Sequence, residues 1–136
     1  MTGPRTFLAA FDAAIPERDR RFGTTPDDHL AAWQQIIDWV ADCYRDNFYE
    51  YRNDLYIREL IEKMLAHPDL AEYAELADFR QRVDELDERF RALLRPGPTE
   101  PAPDLPWWKA RIPARAGAEL AQHYRDHHGL TIEVCE

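Results

Sequence analysis

The chain is short of the residues that usually mark a function. Its 136 residues include only two cysteines, two methionines, five glycines and, among its bases, two lysines. The few glycines form neither a dinucleotide-binding nor a P-loop pattern, so no loop is built to cradle phosphate. There is no G-x-S-x-G turn and no cysteine within a nucleophile motif, which leaves catalysis only to residues that folding might assemble. Cys43 and Cys135 match no metal-ligand or redox spacing and read as two reduced thiols of a cytoplasmic protein. No run of about 18 apolar residues exists to span a membrane. The N-terminal apolar patch Phe7–Phe11 is short and gives way to Asp12 and Glu17, so no export signal is expected.

Positive charge is outnumbered. Lys and Arg total 17 against 26 Asp and Glu, a net charge of −9. The excess is central: Thr24–Arg95 holds 17 acids and 9 bases, whereas Met1–Gly23 sums to +1. Such a balance disfavours nucleic acid and anionic membranes, where affinity rests on neutralising phosphates, and favours a basic protein as partner. The preponderance of Arg over Lys, with abundant Ala, is what a GC-rich bacterial genome produces without functional meaning.

What the chain does have is helical periodicity, and it predicts an all-α fold. The expectation is a compact bundle of four to five helices with a proline-rich linker and a packed C-terminal helix plus a short extended tail. The length suits one domain, 1–136, divided into a main bundle (1–95), a linker (96–106) and a C-terminal segment packed on the bundle (107–136). Phe7, Leu8, Phe11 and Ile15 give a first short helix, followed from Pro16 by a charged loop to Gly23. Thr25, Pro26, Asp27 and Asp28 then combine an N-cap, a first-turn proline and acids facing the positive helix end. Leu30, Trp33, Ile37, Val40 and Tyr44 continue as a seam at intervals of three and four.

No Gly or Pro interrupts the chain from Asp27 to His67. One helix from Pro26 to Ala66 would be about 60 Å long, against a radius of gyration near 14 Å for a compact domain of this size. A kink or short loop is therefore expected between Asn47 and Asn53. The next helix spans Asp54 to His67. Leu70, Tyr73, Leu76, Phe79, Val83, Leu86, Phe90 and Leu93 form the clearest seam, with favourable surface pairs Asp78–Arg82, Glu85–Arg89 and Asp87–Arg91. Five prolines between Pro96 and Pro106 impose an extended connector, including P-x-x-P spacings at Pro98–Pro101 and Pro103–Pro106. After Trp107-Trp108 comes a short helix carrying Leu120, Ala121 and Tyr124 and ending at Gly129; Leu130–Val134 reads as a lone tail or an edge strand.

Against this background one pattern stands out. Asp38, Asp42, Asp46, Glu50 and Asp54 recur at every fourth position, and on a helix each like-charge neighbour pair costs about 0.2–0.5 kcal/mol. A basic partner, a cation or a helix break would relieve the ladder; without a Gly-bearing loop it falls short of a calcium motif. Tyr44, Phe48, Tyr49, Tyr51 and Tyr56 crowd the same stretch, and Tyr suits interfaces through its apolar body and polar end. Asp38, Asp42, Asp46, Tyr49, Glu50 and Tyr51, with Trp107 and Trp108 as lid or hot spot, are the expected partner-binding residues. His123 and His127 lie four apart with Glu119 one turn earlier, but no H-E-x-x-H or Glu-x-x-His arrangement accompanies them, so no metal or cofactor is assigned.

The function expected from these features is binding of another, basic protein, as an immunity-type inhibitor or a regulatory adaptor. The alternative is a small-molecule-binding or metal-assisted enzyme using Tyr, His and carboxylate groups. No family-specific motif is legible.

Overall fold

A computed structural model describes residues 6–96 and 104–135. The fold is all-α. Among the described residues seven helices, α1 (Phe7–Ala14), α2 (Pro26–Ala41), α3 (Phe48–Asp54), α4 (Tyr56–Leu65), α5 (Glu75–Arg91), α6 (Trp107–Ala110) and α7 (Ala118–His128), are accompanied by two 3₁₀ turns at Glu17–Phe22 and Pro68–Leu70. Two-residue strands β1 (Arg115–Ala116) and β2 (Glu133–Val134) pair in parallel across α7. No helix of the described residues is long and apolar enough to cross a membrane.

Local chemistry accounts for the helix starts. Thr25 and Asp28 form a reciprocal capping box with Pro26 in the first turn of α2. Hydrogen bonds from Thr25 and Thr24 hold the Asp28 carboxyl below its ordinary range. The kink or loop expected between Asn47 and Asn53 is corrected, since Phe48–Asp54 is helix α3: the chain leaves α2 at Asp42, resumes helix after Asn47, and bends again at Leu55, which caps both α3 and α4. Asn47 is thus a cap as expected, whereas Asn53 lies inside α3. The charged stretch after Pro16, expected as a loop, winds into a 3₁₀ turn.

α2 packs against α4 and α5. Trp33, Ile37 and Val40 of α2, Ile57, Leu60, Ile61 and Met64 of α4 and Phe79, Val83 and Phe90 of α5 are all buried. Trp33 meets Phe90 edge to face at 4.9 Å. The C-terminal segment joins this same core through Trp108, Ile112, Leu120, Tyr124 and Ile132. Its return is stitched to the end of α5, because Arg95 N donates to Ile112 O (2.8 Å) and Ala114 N to Leu93 O (2.9 Å). Pro98, Pro101 and Pro103, which carry the P-x-x-P spacings, lie outside the described residues.

Within the core sits an ion pair. Arg58 of α4 is 4% exposed and Asp87 of α5 is 2% exposed. The guanidinium donates through Nε to Oδ1 and through an Nη to Oδ2, each at 2.9 Å, and Trp33 Nε1 donates to the same Oδ1 at 3.1 Å. Arg58 also lies over the Trp108 ring at 4.5 Å. Burial opposes the charge on Arg58, but Asp87 more than offsets it and raises the guanidinium pKa. The expected surface pair Asp87–Arg91 is thereby corrected. Asp87 faces inward, while Arg91 pairs with Glu88 at 2.5 Å and covers the Trp107 ring at 4.1 Å. Asp78–Arg82 does form, at 3.4 Å, whereas Arg89 turns to Asp38 across the helix interface.

His29 is buried between Phe11 and the chain at Gly23, with Nε2 3.1 Å from Gly23 O. Burial pushes its pKa below the ordinary 6.5, outweighing the opposite pull of Gly23 O, Asp28 and Asp19. The unfolded chain therefore takes up a proton that the folded core disfavours. Stability falls as pH drops below about 6.5 and continues to fall until the lowered folded-state pKa is passed. Urea denaturation between pH 7.5 and 5 checks this: His29→Gln, which cannot titrate, flattens the pH dependence, and an unchanged slope assigns the acid sensitivity elsewhere.

Candidate functional site

The break after α2 builds a surface. Asp42 caps the helix, its N–H donating to Asp38 O at 3.0 Å. Cys43 follows at φ 62°, the single non-glycine residue with positive φ among the described residues. It turns the chain out of the helix at a position where glycine or asparagine is the ordinary choice. Four residues later Asn47 starts α3: its Oδ1 accepts from Glu50 N (2.9 Å), and Asp46 Oδ1 accepts from Asn47 N (2.7 Å).

The acidic ladder is accordingly not one stack on one helix. Asp38 pairs with Arg89 at 3.0 Å. Asp46 and Glu50 sit at the N-terminal end of α3, where negative charge is favourable. Asp54, at the end of α3, accepts from Tyr44 Oη at 2.5 Å. The repulsion expected of a continuous helix is removed by the loop and by these partners.

Between the end of α2 and α3 lies a cleft of about 290 Å³ lined by Trp39, Asp42, Tyr44, Arg45, Asp46 and Asp54. Trp39 is 46% exposed, and it also walls a neighbouring hollow of about 300 Å³ with Phe22, Ile36 and Ile57. Its indole is thus a ridge between two hollows that share Asp54. Tyr44 reports the local field. Burial first, then its bond to Asp54 and the charges of Asp54, Asp46 and Glu50, push the phenol far above its ordinary pKa, so it remains a neutral donor. Three carboxylates face one arginine in this lining. A guanidinium or ammonium group laid over Trp39 would gain about 0.5–2 kcal/mol from the ring and would donate charge-assisted hydrogen bonds to the carboxylates.

The expected partner-binding residues separate. Asp42 and Asp46 line the cleft; Asp38 and Glu50 are exposed outside its lining. Tyr49 is 75% exposed but turns toward α7, 6.1 Å from His123. Tyr51 is 1% exposed and packs on Tyr44 at 5.1 Å, because its position on α3 faces the core. Trp108 is buried under Arg58, and Trp107 lies half-buried between Phe90 and Arg91, so both pack onto the fold. Trp39 and Asp54 were not anticipated as site residues. The signal for Trp39 was present: it is a large aromatic one position off the buried Trp33–Ile37–Val40 seam.

The histidines form an aromatic stack. His123 lies flat on Phe48 with ring centres 3.9 Å apart, and His127 follows at 4.5 Å. Among the described residues no group of three or more His, Cys, Asp or Glu is placed to hold a metal ion. A groove of about 740 Å³ between α1 and the Pro68–Leu70 turn is lined by small residues with Asp69, Glu72 and Tyr73 and brings no buried polar group to a focus.

Cys43 and Cys135, expected as separate reduced thiols, are instead joined in a disulfide with Cα atoms 6.0 Å apart. Folding of β2 alongside β1 carries Cys135 to the end of α2, which spacing alone does not reveal.

Compared with family models, curated proteins and solved structures, the chain has no match.

Proposed function

We propose that this protein binds another protein by receiving a basic side chain of the partner in the cleft beside Trp39, in the manner of an immunity-type inhibitor or a regulatory adaptor. The observation that carries this reading is the half-exposed Trp39 standing against Asp42, Asp46 and Asp54 in one cleft. Exposed Trp is costly to leave in water and is enriched among interface hot spots. The acidic lining supplies the charge that selects a basic partner and speeds its approach. The same charge argues against nucleic acid. The cytoplasmic location expected from free thiols loses that support with the disulfide, since such bonds persist chiefly in oxidising compartments.

Selection of random twelve-residue peptides against the immobilised protein tests this. Enriched sequences carry Arg or Lys beside an apolar residue. Trp39→Ala weakens their binding at least tenfold, and Asp42→Asn with Asp46→Asn weakens it further at low salt than at high salt. Asn at 46 retains the acceptor for Asn47 N, so the fold is preserved. Enrichment of acidic or uncharged peptides, or binding indifferent to Trp39→Ala, refutes the reading.

A further inference from the structure

The cleft and the disulfide share one piece of chain. Asp42, Tyr44 and Asp46 of the lining flank Cys43, whose sulfur is bonded to Cys135 at the end of β2. The contact is reinforced from below. Gly117 N donates to Tyr44 O at 2.9 Å, and a Cβ at Gly117 would stand 2.6 Å from that oxygen, so only glycine lets β1 approach so closely. β2 itself is weakly held. It is two residues long and its Glu133 and Val134 are exposed; beside the two-residue parallel pairing with β1, Glu133 N donates to Ala114 O (3.2 Å) and Cys135 N to Ala116 O (2.9 Å), with Ile132 buried next to it. A two-residue strand pair does not persist on its own. Cys43 also occupies a left-handed position that an ordinary side chain disfavours.

From this arrangement we propose that the Cys43–Cys135 bond is a redox latch on the acidic cleft: oxidised, it holds residues 42–47 in the binding-competent arrangement; reduced, it releases that loop and the C-terminal strand together. This regulation rests on the partner-binding reading above. The reaction is a thiol–disulfide exchange with a dithiol reductant. One reductant thiolate attacks Sγ of Cys135, which is half-buried where Cys43 is buried; the Sγ–Sγ bond breaks and Cys43 leaves as a thiolate that takes up a proton. The second reductant thiol then resolves the mixed disulfide and frees Cys135. Two electrons and two protons pass to the protein, and the reductant closes its own disulfide. In a reducing cytosol such a bond is transient or sensing, and in an oxidising compartment the latch stays closed.

The test has two arms. In the first, amide hydrogen exchange is compared between the oxidised protein, the protein reduced with dithiothreitol, and a Cys43→Ser/Cys135→Ser variant, with thiol titration confirming zero and two thiols in the first two. The expected result is exchange at residues 42–47 and 132–135 that speeds at least tenfold more than the general rise in α2, α4 and α5 which loss of the bond's stability brings, with helical circular dichroism unchanged. Exchange that is unaltered, or that rises by the same factor at residues 42–47 and 132–135 as in α2, α4 and α5, overturns the latch, leaving the bond inert or a staple of the whole fold. In the second arm, an Arg-containing peptide selected on the oxidised protein is bound to all three forms. A loss of at least fivefold on reduction and in the double Ser variant is expected, and equal affinity overturns the control of binding. If no basic peptide is selected, the partner-binding reading fails while the first arm still decides whether the loop is released.

Discussion

Asp87→Ala is expected to cost about 3–5 kcal/mol, the usual penalty for stranding one member of a buried ion pair. The alanine leaves the guanidinium of Arg58 inside the core, and the remaining carboxylate within reach, Glu62 at 3.2 Å, is half in water and cannot replace two bonds of 2.9 Å. It also takes the acceptor from Trp33 Nε1. The companion change sharpens the argument. Arg58→Met with Asp87→Asn removes both charges, fills a similar volume and keeps an oxygen for the indole, so most of the lost stability should return. Urea denaturation of the two variants measures the difference directly. If the double variant is as unstable as Asp87→Ala, the pair contributes more than it costs to desolvate, and the core depends on the charges themselves.

Loss of the disulfide is expected to cost about 2–4 kcal/mol, with a chain-entropy limit of about 4–5 kcal/mol for a bridge of this span. The bridged cysteines are 92 residues apart, which makes the constraint on the unfolded chain large. A domain with ordinary stability of about 5–15 kcal/mol survives that loss folded. The residue left at position 43 then reports on the loop. With Cys135→Ser in both, Cys43→Gly and Cys43→Ala should be about equally stable, because a released loop is free to leave φ 62° for the negative φ that alanine prefers. Thermal melts of the two double variants decide this; an advantage of about 1–2 kcal/mol for glycine would mean that position 43 keeps its left-handed conformation once the bond is gone.

Much of the helical framework is written in local pattern. The Thr25-Pro26-x-Asp28 start of α2 and the seam of α5 are visible because caps and three-four periodicity act over a single turn. Compactness predicted a break in the Asp27–His67 stretch but not its place: Asn47 marks the end of the loop rather than its start, and the Asn47–Asn53 segment expected to bend is helix α3. The inward turn of Asp87 was legible too, since it lies four residues after Val83 and three before Phe90, squarely on the apolar seam; pairing by sequence spacing obscured it. What local pattern does not contain is the meeting of distant segments. β1 has two residues and no strand signature, and Cys43 meets Cys135 only because that strand exists to carry β2 back. The cleft depends on the same loop, so its members Trp39 and Asp54 are brought together by a turn whose geometry no periodicity describes.

The disulfide also changes what a cut in the backbone does. Residues 43 to 135 form a closed covalent ring that includes α3 to α7 and the proline-rich connector. A single peptide-bond cleavage anywhere in that ring, for instance between Pro96 and Asp104, opens the ring without separating the pieces. The nicked protein gains only the one water of hydrolysis and, with both fragments rooted in one core, keeps its fold. Two shorter chains emerge only under reducing conditions, so oxidised and reduced electrophoresis of the same digest distinguishes a nicked molecule from an intact one.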